Sequence, residues 1–170
     1  EIYGDTTGLR KTIIEKLESL YGYNVPFGQV LSLELIEVMA ILTTQLNREI
    51  AIYINRRGQI THVAVGDGTT VNLPEAQGRR SSTRLSGIRC IHTHPNGESG
   101  LSSIDISSLK NMRFDIMAAV GVRESCATDV CFGFISGVTE DEFNVEVVGP
   151  MAVEQFAGLN VLNLTAMLDR

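Results

Sequence analysis

The chain has 170 residues, of which 44% are hydrophobic and 20% charged, with a formal net charge of −6. Such a length and composition suit one globular domain with a full core and exclude a disordered or fibrous chain. The negative balance argues against broad non-specific nucleic-acid binding; no apolar run reaches membrane-spanning length, and no secretory leader pattern opens the chain. The three cysteines, Cys90, Cys126 and Cys131, form no C-x-x-C pair, and an odd count without a framework predicts buried thiols in a reducing cytoplasm. A start at Glu1 rather than Met suggests a trimmed product.

In chain order, Ile13, Leu17 and Leu20 fall at helical spacing and predict a helix over 9–20. The stretch 21–29 contains Gly22, Pro26 and Gly28 and reads as a connection. Ser32 is the expected N-cap of a second helix, whose core face is Leu35, Val38, Met39, Leu42 and Leu46. After Asn47 the period changes. Residues 49–55 and 59–66, separated by Arg57-Gly58, predict a β-hairpin. Asp67-Gly68 marks another turn, 69–73 extends the sheet, and 74–87 is a polar, Arg-rich loop. A short buried strand, 88–92, follows. Residues 96–100 predict a flexible loop, 103–112 a helix, 115–122 a buried strand, 126–138 a strand and turn, and 142–148 an alternating strand with Phe143, Val145 and Val147 on one side. Pro150 is expected to open a final helix toward Met167, interrupted at Gly158. These elements predict a three-layer α/β domain with a mixed sheet, occupying 1–170.

The chemistry concentrates in His92-Thr93-His94-Pro95 and, six residues on, Ser102-Ser103-Ile104-Asp105. Two His one residue apart point the same way from a strand. Pro95 turns the chain, and Asp105 returns from the start of a helix. Two imidazoles and a carboxylate are what a catalytic zinc ion requires, with the fourth position left to water. Each residue also has an ordinary structural use. Ser102 or Ser103 can cap a helix, Asp105 can complement its dipole, and an H-x-H pair alone is often structural. His62, in another strand and without a partner pattern, is set aside.

The spacing H-x-H-P-x6-S-x-x-D resembles the JAMM/MPN metalloproteases and the RadC proteins, which share it. That resemblance implies a cytidine-deaminase-like (JAMM/MPN-like) fold, zinc bound by His92, His94 and Asp105, and a Ser102 hydroxyl that stabilises the oxyanion. It also implies a glutamate on an earlier strand as general base. Glu49, which follows a long helix and opens the strand Glu49-Ile50-Ala51-Ile52-Tyr53-Ile54, is the choice here; a charge at a strand entrance is the alternative. A nucleobase deaminase would share the fold but use H-x-E and P-C-x-x-C, which this chain lacks.

A broader resemblance rests on Tyr3-Gly4-Asp5-Thr6-Thr7-Gly8-Leu9, on Leu46-Asn47-Arg48-Glu49-Ile50 with Asn55-Arg56-Arg57-Gly58, and on Cys90 to Gly97. Together they resemble the N-terminal region of HflX-type GTPases of Gram-positive bacteria, over essentially the whole chain. The implied setting is a cytoplasmic GTPase associated with the large ribosomal subunit, the GTPase half lying after Arg170. The chain carries no G-x-x-x-x-G-K-[ST] loop, so it is expected neither to bind nor to hydrolyse GTP by itself. Arg79, Arg80, Arg84 and Arg89 fall in an acid-free stretch and Arg56-Arg57 forms a smaller cluster. They read either as solvated loops or as contacts to phosphate or an acidic partner. The sequence thus supports two readings, a zinc-dependent hydrolase of amide or isopeptide bonds and a non-catalytic module docking on a ribosome or protein to regulate the attached GTPase.

Overall fold

The computed structural model describes residues 1–67, 73–74 and 85–160. Its centre is a seven-stranded mixed sheet made of β1 (Ile2–Gly4), β2 (Ile50–Asn55), β3 (Ile60–Val65), β4 (Ile88–His94), β5 (Ile116–Arg123), β6 (Cys126–Thr139) and β7 (Glu142–Met151). The spatial order is β1-β3-β2-β4-β5-β6-β7. The contacts β1–β3 and β4–β5 are parallel and the others antiparallel. The hairpin predicted over 49–66 is β2–β3. Its turn needs Gly58, at φ +83°, where a Cβ would lie 2.1 Å from the Val25 carbonyl oxygen.

The helices are α1 (Lys11–Glu18), α2 (Leu33–Leu46), α3 (Ser103–Met112) and α4 (Val153–Ala157), and a 3-10 turn, Ser19–Gly22, follows α1. The Ser32 side chain accepts from the Leu35 amide at 3.3 Å and caps α2 as expected. Asn47 ends the helix in the left-handed conformation, which Asn tolerates better than most residues. Of the expected core face, Leu35, Met39 and Leu42 are buried while Val38 and Leu46 pack at its margin.

Strand alternation sorts the core onto two faces. Ile50, Ile52, Ile54 and Ile91 join Leu17, Leu35, Met39 and Phe156 on the face covered by α1, α2 and α4. Ala51, Tyr53, Cys90 and Met117 join Leu109 and Phe114 on the face covered by α3. Helices on both faces explain why the central strands read as continuous apolar runs. Each fully buried Leu, Ile or Phe contributes roughly 1.5–3 kcal/mol.

Two expectations are corrected here, and one strand was not expected. β1 is three residues long, too short for periodicity to register. Pro150 lies within β7, not in a helix, and α4 begins at Val153 after Ala152 and is five residues long. Proline fixes φ for a first helical turn but equally suits a sheet-edge strand, and β7 is such an edge. Cys126 is exposed, whereas Cys90 and Cys131 are buried. The extension over 69–72 and the course toward Met167 lie outside the described residues. Among the described residues no helix is long and apolar enough to cross a membrane.

Candidate metal centre

β4 carries the centre of the sheet's chemistry. Cys90, on the α3 face, shares its parity with His92 and His94, while Arg89, Ile91 and Thr93 face α2. Both imidazoles therefore project toward α3 from the C-terminal end of β4. In the antiparallel pairing Ala51 faces His92. Continuing that register outward sets Ile50 opposite Thr93 and Glu49 opposite His94. Glu49, immediately before β2, thus shares the face of the two histidines.

On the other side Ser102 caps α3. Its hydroxyl accepts from the Asp105 amide at 3.1 Å, and the Ser102 amide donates to Asp105 Oδ2 at 2.9 Å, a reciprocal capping box. The box fixes the Asp105 carboxylate, and the same Oδ2 lies 3.3 Å from His92 Nε2. The capping reading of Ser102 and the ligand reading of Asp105 are therefore compatible, since one geometry serves both.

Four titratable groups converge here. His92 Nε2 is 3.1 Å from His94 Nε2, and His94 Nε2 is 3.3 Å from Glu49 Oε1. Ligating atoms of His92, His94 and Asp105 all lie within 4.8 Å of one another. His94 Nδ1 is 2.6 Å from the Glu98 carbonyl oxygen. A carbonyl only accepts, so Nδ1 carries the proton and Nε2 turns its lone pair to the cluster. Anchoring a ligand imidazole by its second nitrogen is the usual arrangement in metal sites. His92 Nδ1 is buried with no hydrogen-bond partner among the described residues.

The electrostatics follow from crowding in a dry site. Burial pushes Glu49 up to about 7, Asp105 adding to the effect and His92 opposing it. Burial lowers His94, and His92 lowers it further. Burial would raise Asp105, but the hydrogen bond and charge of His92 and the Ser102 amide prevail and hold it at about 2. Buried charges are ordinarily paired or bound to metal, because desolvation costs several kcal/mol per ion.

The three residues could hold a metal ion, and their donor set is compatible with zinc. Bonds of 2.0–2.2 Å in a tetrahedron require ligand separations of about 3.4 Å, and two of the three separations are 3.1 and 3.3 Å. The set of two nitrogens and one carboxylate suits zinc.

The loop predicted over 96–100 makes three hydrogen bonds. The Glu98 amide donates to Asn96 Oδ1 at 3.0 Å, Thr128 Oγ1 donates to the Gly97 carbonyl at 3.3 Å, and the Glu98 carbonyl holds His94. Two arginine readings change. Arg89 is interior, 3% exposed, and its guanidinium donates to the carbonyls of Gln29, Val30 and Asn55 at 2.7–3.0 Å. Burial lowers it to about 10, so it stays cationic at neutral pH. Its odd position in β4 turns it to the segment 29–30 ahead of α2 rather than to solvent. Arg56 pairs with buried Asp115 through two contacts, at 2.9 and 3.1 Å. Arg79, Arg80 and Arg84 lie outside the described residues. His62 packs between Tyr3 and Tyr53 in tilted ring contacts at centroid distances of 5.2 and 5.0 Å, and belongs to no ligand set among the described residues.

Sequence reasoning missed Glu98, which acts through its backbone carbonyl and leaves no residue-type signal. It also missed Thr93 and Thr43, whose hydroxyls meet behind the site. The wrong parity of Thr93 for the metal face was legible, but its partner fifty positions away was not. Comparison with protein-family models, curated proteins and solved structures finds no significant match for this chain.

Proposed function

We propose that this chain is a zinc-dependent hydrolase domain of the JAMM type, acting on amide or isopeptide bonds. The observation that carries the reading is the convergence of His92, His94 and Asp105 within 4.8 Å, with the Glu49 carboxyl 3.3 Å from His94. His92, His94 and Asp105 would hold the ion, which when bound would supply polarisation of the scissile carbonyl and a more acidic water. Glu49, beside the ligands and desolvated, takes the proton of the attacking water at Oε1 and delivers it to the leaving amine nitrogen. The Glu98 carbonyl holds the His94 tautomer throughout. The Ser102 amide holds Asp105, and the Ser102 hydroxyl, which spends only a lone pair on its cap, stabilises the developing oxyanion.

The resemblance to HflX-type GTPases adds the proposal that the domain works attached to a cytoplasmic GTPase near the large ribosomal subunit. A purely docking role draws no support from Arg89, which is buried against backbone carbonyls, or from Arg56, which is exposed but paired with Asp115.

Elemental analysis of the purified chain after zinc reconstitution tests the reading. One zinc per chain is expected, and none in His92→Ala/His94→Ala. Glu49→Gln is expected to keep its zinc while hydrolysis of a peptide and isopeptide substrate panel falls by about 10²–10⁴-fold. A reconstituted wild-type chain without zinc sinks the proposal.

A further inference from the structure

We propose that the buried hydroxyl pair Thr43–Thr93 is a positioning device that holds Glu49 across from His94; this deepens, and rests on, the metal-hydrolase reading. Thr93 lies between the two histidines but points to the opposite face of the sheet. It is 1% exposed and Thr43, on α2, is 0% exposed. Their hydroxyl oxygens are 2.6 Å apart. The Ile50 amide donates to Thr93 Oγ1 at 3.1 Å, and the Thr93 hydroxyl also reaches the Ile50 carbonyl at 3.4 Å.

The backbone register explains why this matters. Paired residues of β2 and β4 run from Asn55↔Ile88 to Ala51↔His92 and stop there. Where Ile50 and Thr93 would extend the ladder, a side-chain oxygen takes the amide instead. The Ile50 amide belongs to the same peptide group as the Glu49 carbonyl. That carbonyl accepts from the Gly66 amide at 2.8 Å. The Glu49–Ile50 peptide is therefore clamped at both polar atoms, by β3's end on one side and by Thr93 on the other. Clamping the plane of that peptide sets the direction in which Glu49 leaves the backbone. Because Thr93 is also the residue between His92 and His94, one oxygen ties the base to both ligands.

A buried hydroxyl is costly unless its hydrogen bonds are made, and Val would fill the same volume in a surrounding apolar core. The hydroxyls therefore serve hydrogen bonding rather than packing. Thr43 completes the device by tying Thr93 to α2, so that the clamp is referenced to the helix behind the sheet rather than to the strand alone.

The test uses the full chain as Thr93→Val, Thr93→Ser and Thr43→Val, each with and without Glu49→Gln. Crystal structures of the metal-free proteins come first. Thr93→Val is expected to lengthen the Glu49–His94 contact beyond hydrogen-bond reach, and Thr93→Ser to keep it. Thr43→Val, which leaves the Ile50 bond, is expected to give a smaller displacement and guards against a Thr93→Val chain that fails to fold. An unchanged contact in both valine variants overturns the proposal, whether or not the wild type binds metal. Cobalt(II) titration followed by visible absorption then reads the site. Thr93→Val is expected to bind one cobalt with affinity lowered on the order of tenfold and with the spectrum of Glu49→Gln. Adding Thr93→Val to Glu49→Gln should change nothing further, since positioning acts only through the base. Additive losses would overturn the positioning role. A wild-type chain that binds no cobalt would overturn the hydrolase reading, leaving the positioning claim to be decided by the crystal structures.

Discussion

At the N-terminal end of β4, Arg89 buries a cation and hands its protons to three backbone carbonyls, while Arg56 closes on the buried Asp115 nearby. At the C-terminal end the same strand buries two imidazoles whose Nε2 atoms face each other and two carboxyls. The first end gives both terminal nitrogens of the Arg89 guanidinium carbonyl acceptors, leaving only the buried Nε without one among the described residues, so its geometry is explained by stability. The second end turns two ring nitrogens and two carboxyls onto a common point, a poor arrangement for stability and a good one for a cation. Burial of charge is common to both; convergence of lone pairs distinguishes the ligand site from the structural network.

The largest effect expected from breaking that contrast is at Arg89. Arg89→Met removes the guanidinium donor from the Gln29, Val30 and Asn55 carbonyls, of which Asn55 keeps the Gly58 amide, so two lose their donor at about 1–3 kcal/mol each. Denaturant unfolding should show a loss of at least ~2 kcal/mol, with metal stoichiometry per folded molecule unchanged. A loss under ~1 kcal/mol would mean that the two ends are not different in kind.

The second effect is a pH dependence confined to the other end. In chelated protein the folded pKa of Glu49 is raised from 4.5 to about 7, so the folded state holds that proton more tightly. Its stabilisation is complete below about pH 4.5 and is lost as pH rises through about 7. Asp105, lowered from 3.8 to about 2, acts oppositely: its contribution is present above about 3.8 and is lost as pH falls through about 2. Thermal unfolding of the chelated chain should therefore peak between these windows. Glu49→Gln should flatten the alkaline limb alone; if that limb persists in the variant, Glu49 is not the group responsible.

The smallest effect concerns the loop that carries the Glu98 carbonyl. Gly97 has φ +81°, and a Cβ there would lie 2.9 Å from the Arg123 guanidinium. Gly97→Ala should cost about 1–2 kcal/mol for the left-handed backbone and weaken zinc binding through a displaced Glu98 carbonyl. Equal zinc affinity in the variant and wild type, measured by competition with a chromophoric chelator, would show that the His94 anchor tolerates the shift.

Much of this was legible in one dimension. The parity of His92 and His94, the turn at Pro95 and the Ser102–Asp105 interval are local, and local geometry follows from residue type and spacing. Glu49 was reachable because a strand entrance is visible in the periodicity, yet its partner was not. Its placement opposite His94 depends on the β2–β4 register. Arg89 was misread because an arginine in an arginine-rich stretch resembles a surface residue. Pro150 was misread because edge strand and helix start make the same demand on φ.

Sequence alone determined which residue types could bind a cation, the α/β alternation that would carry them and that Ser102 or Ser103 could cap the helix carrying Asp105, since each depends on neighbours a few positions away. Only the tertiary structure decided that Glu49 meets His94, that Glu98 offers its carbonyl, and that Thr43 backs Thr93 across a separation of fifty residues. The physical reason is that strand register and helix packing are settled by burial summed over the whole core, a quantity no short stretch of chain contains.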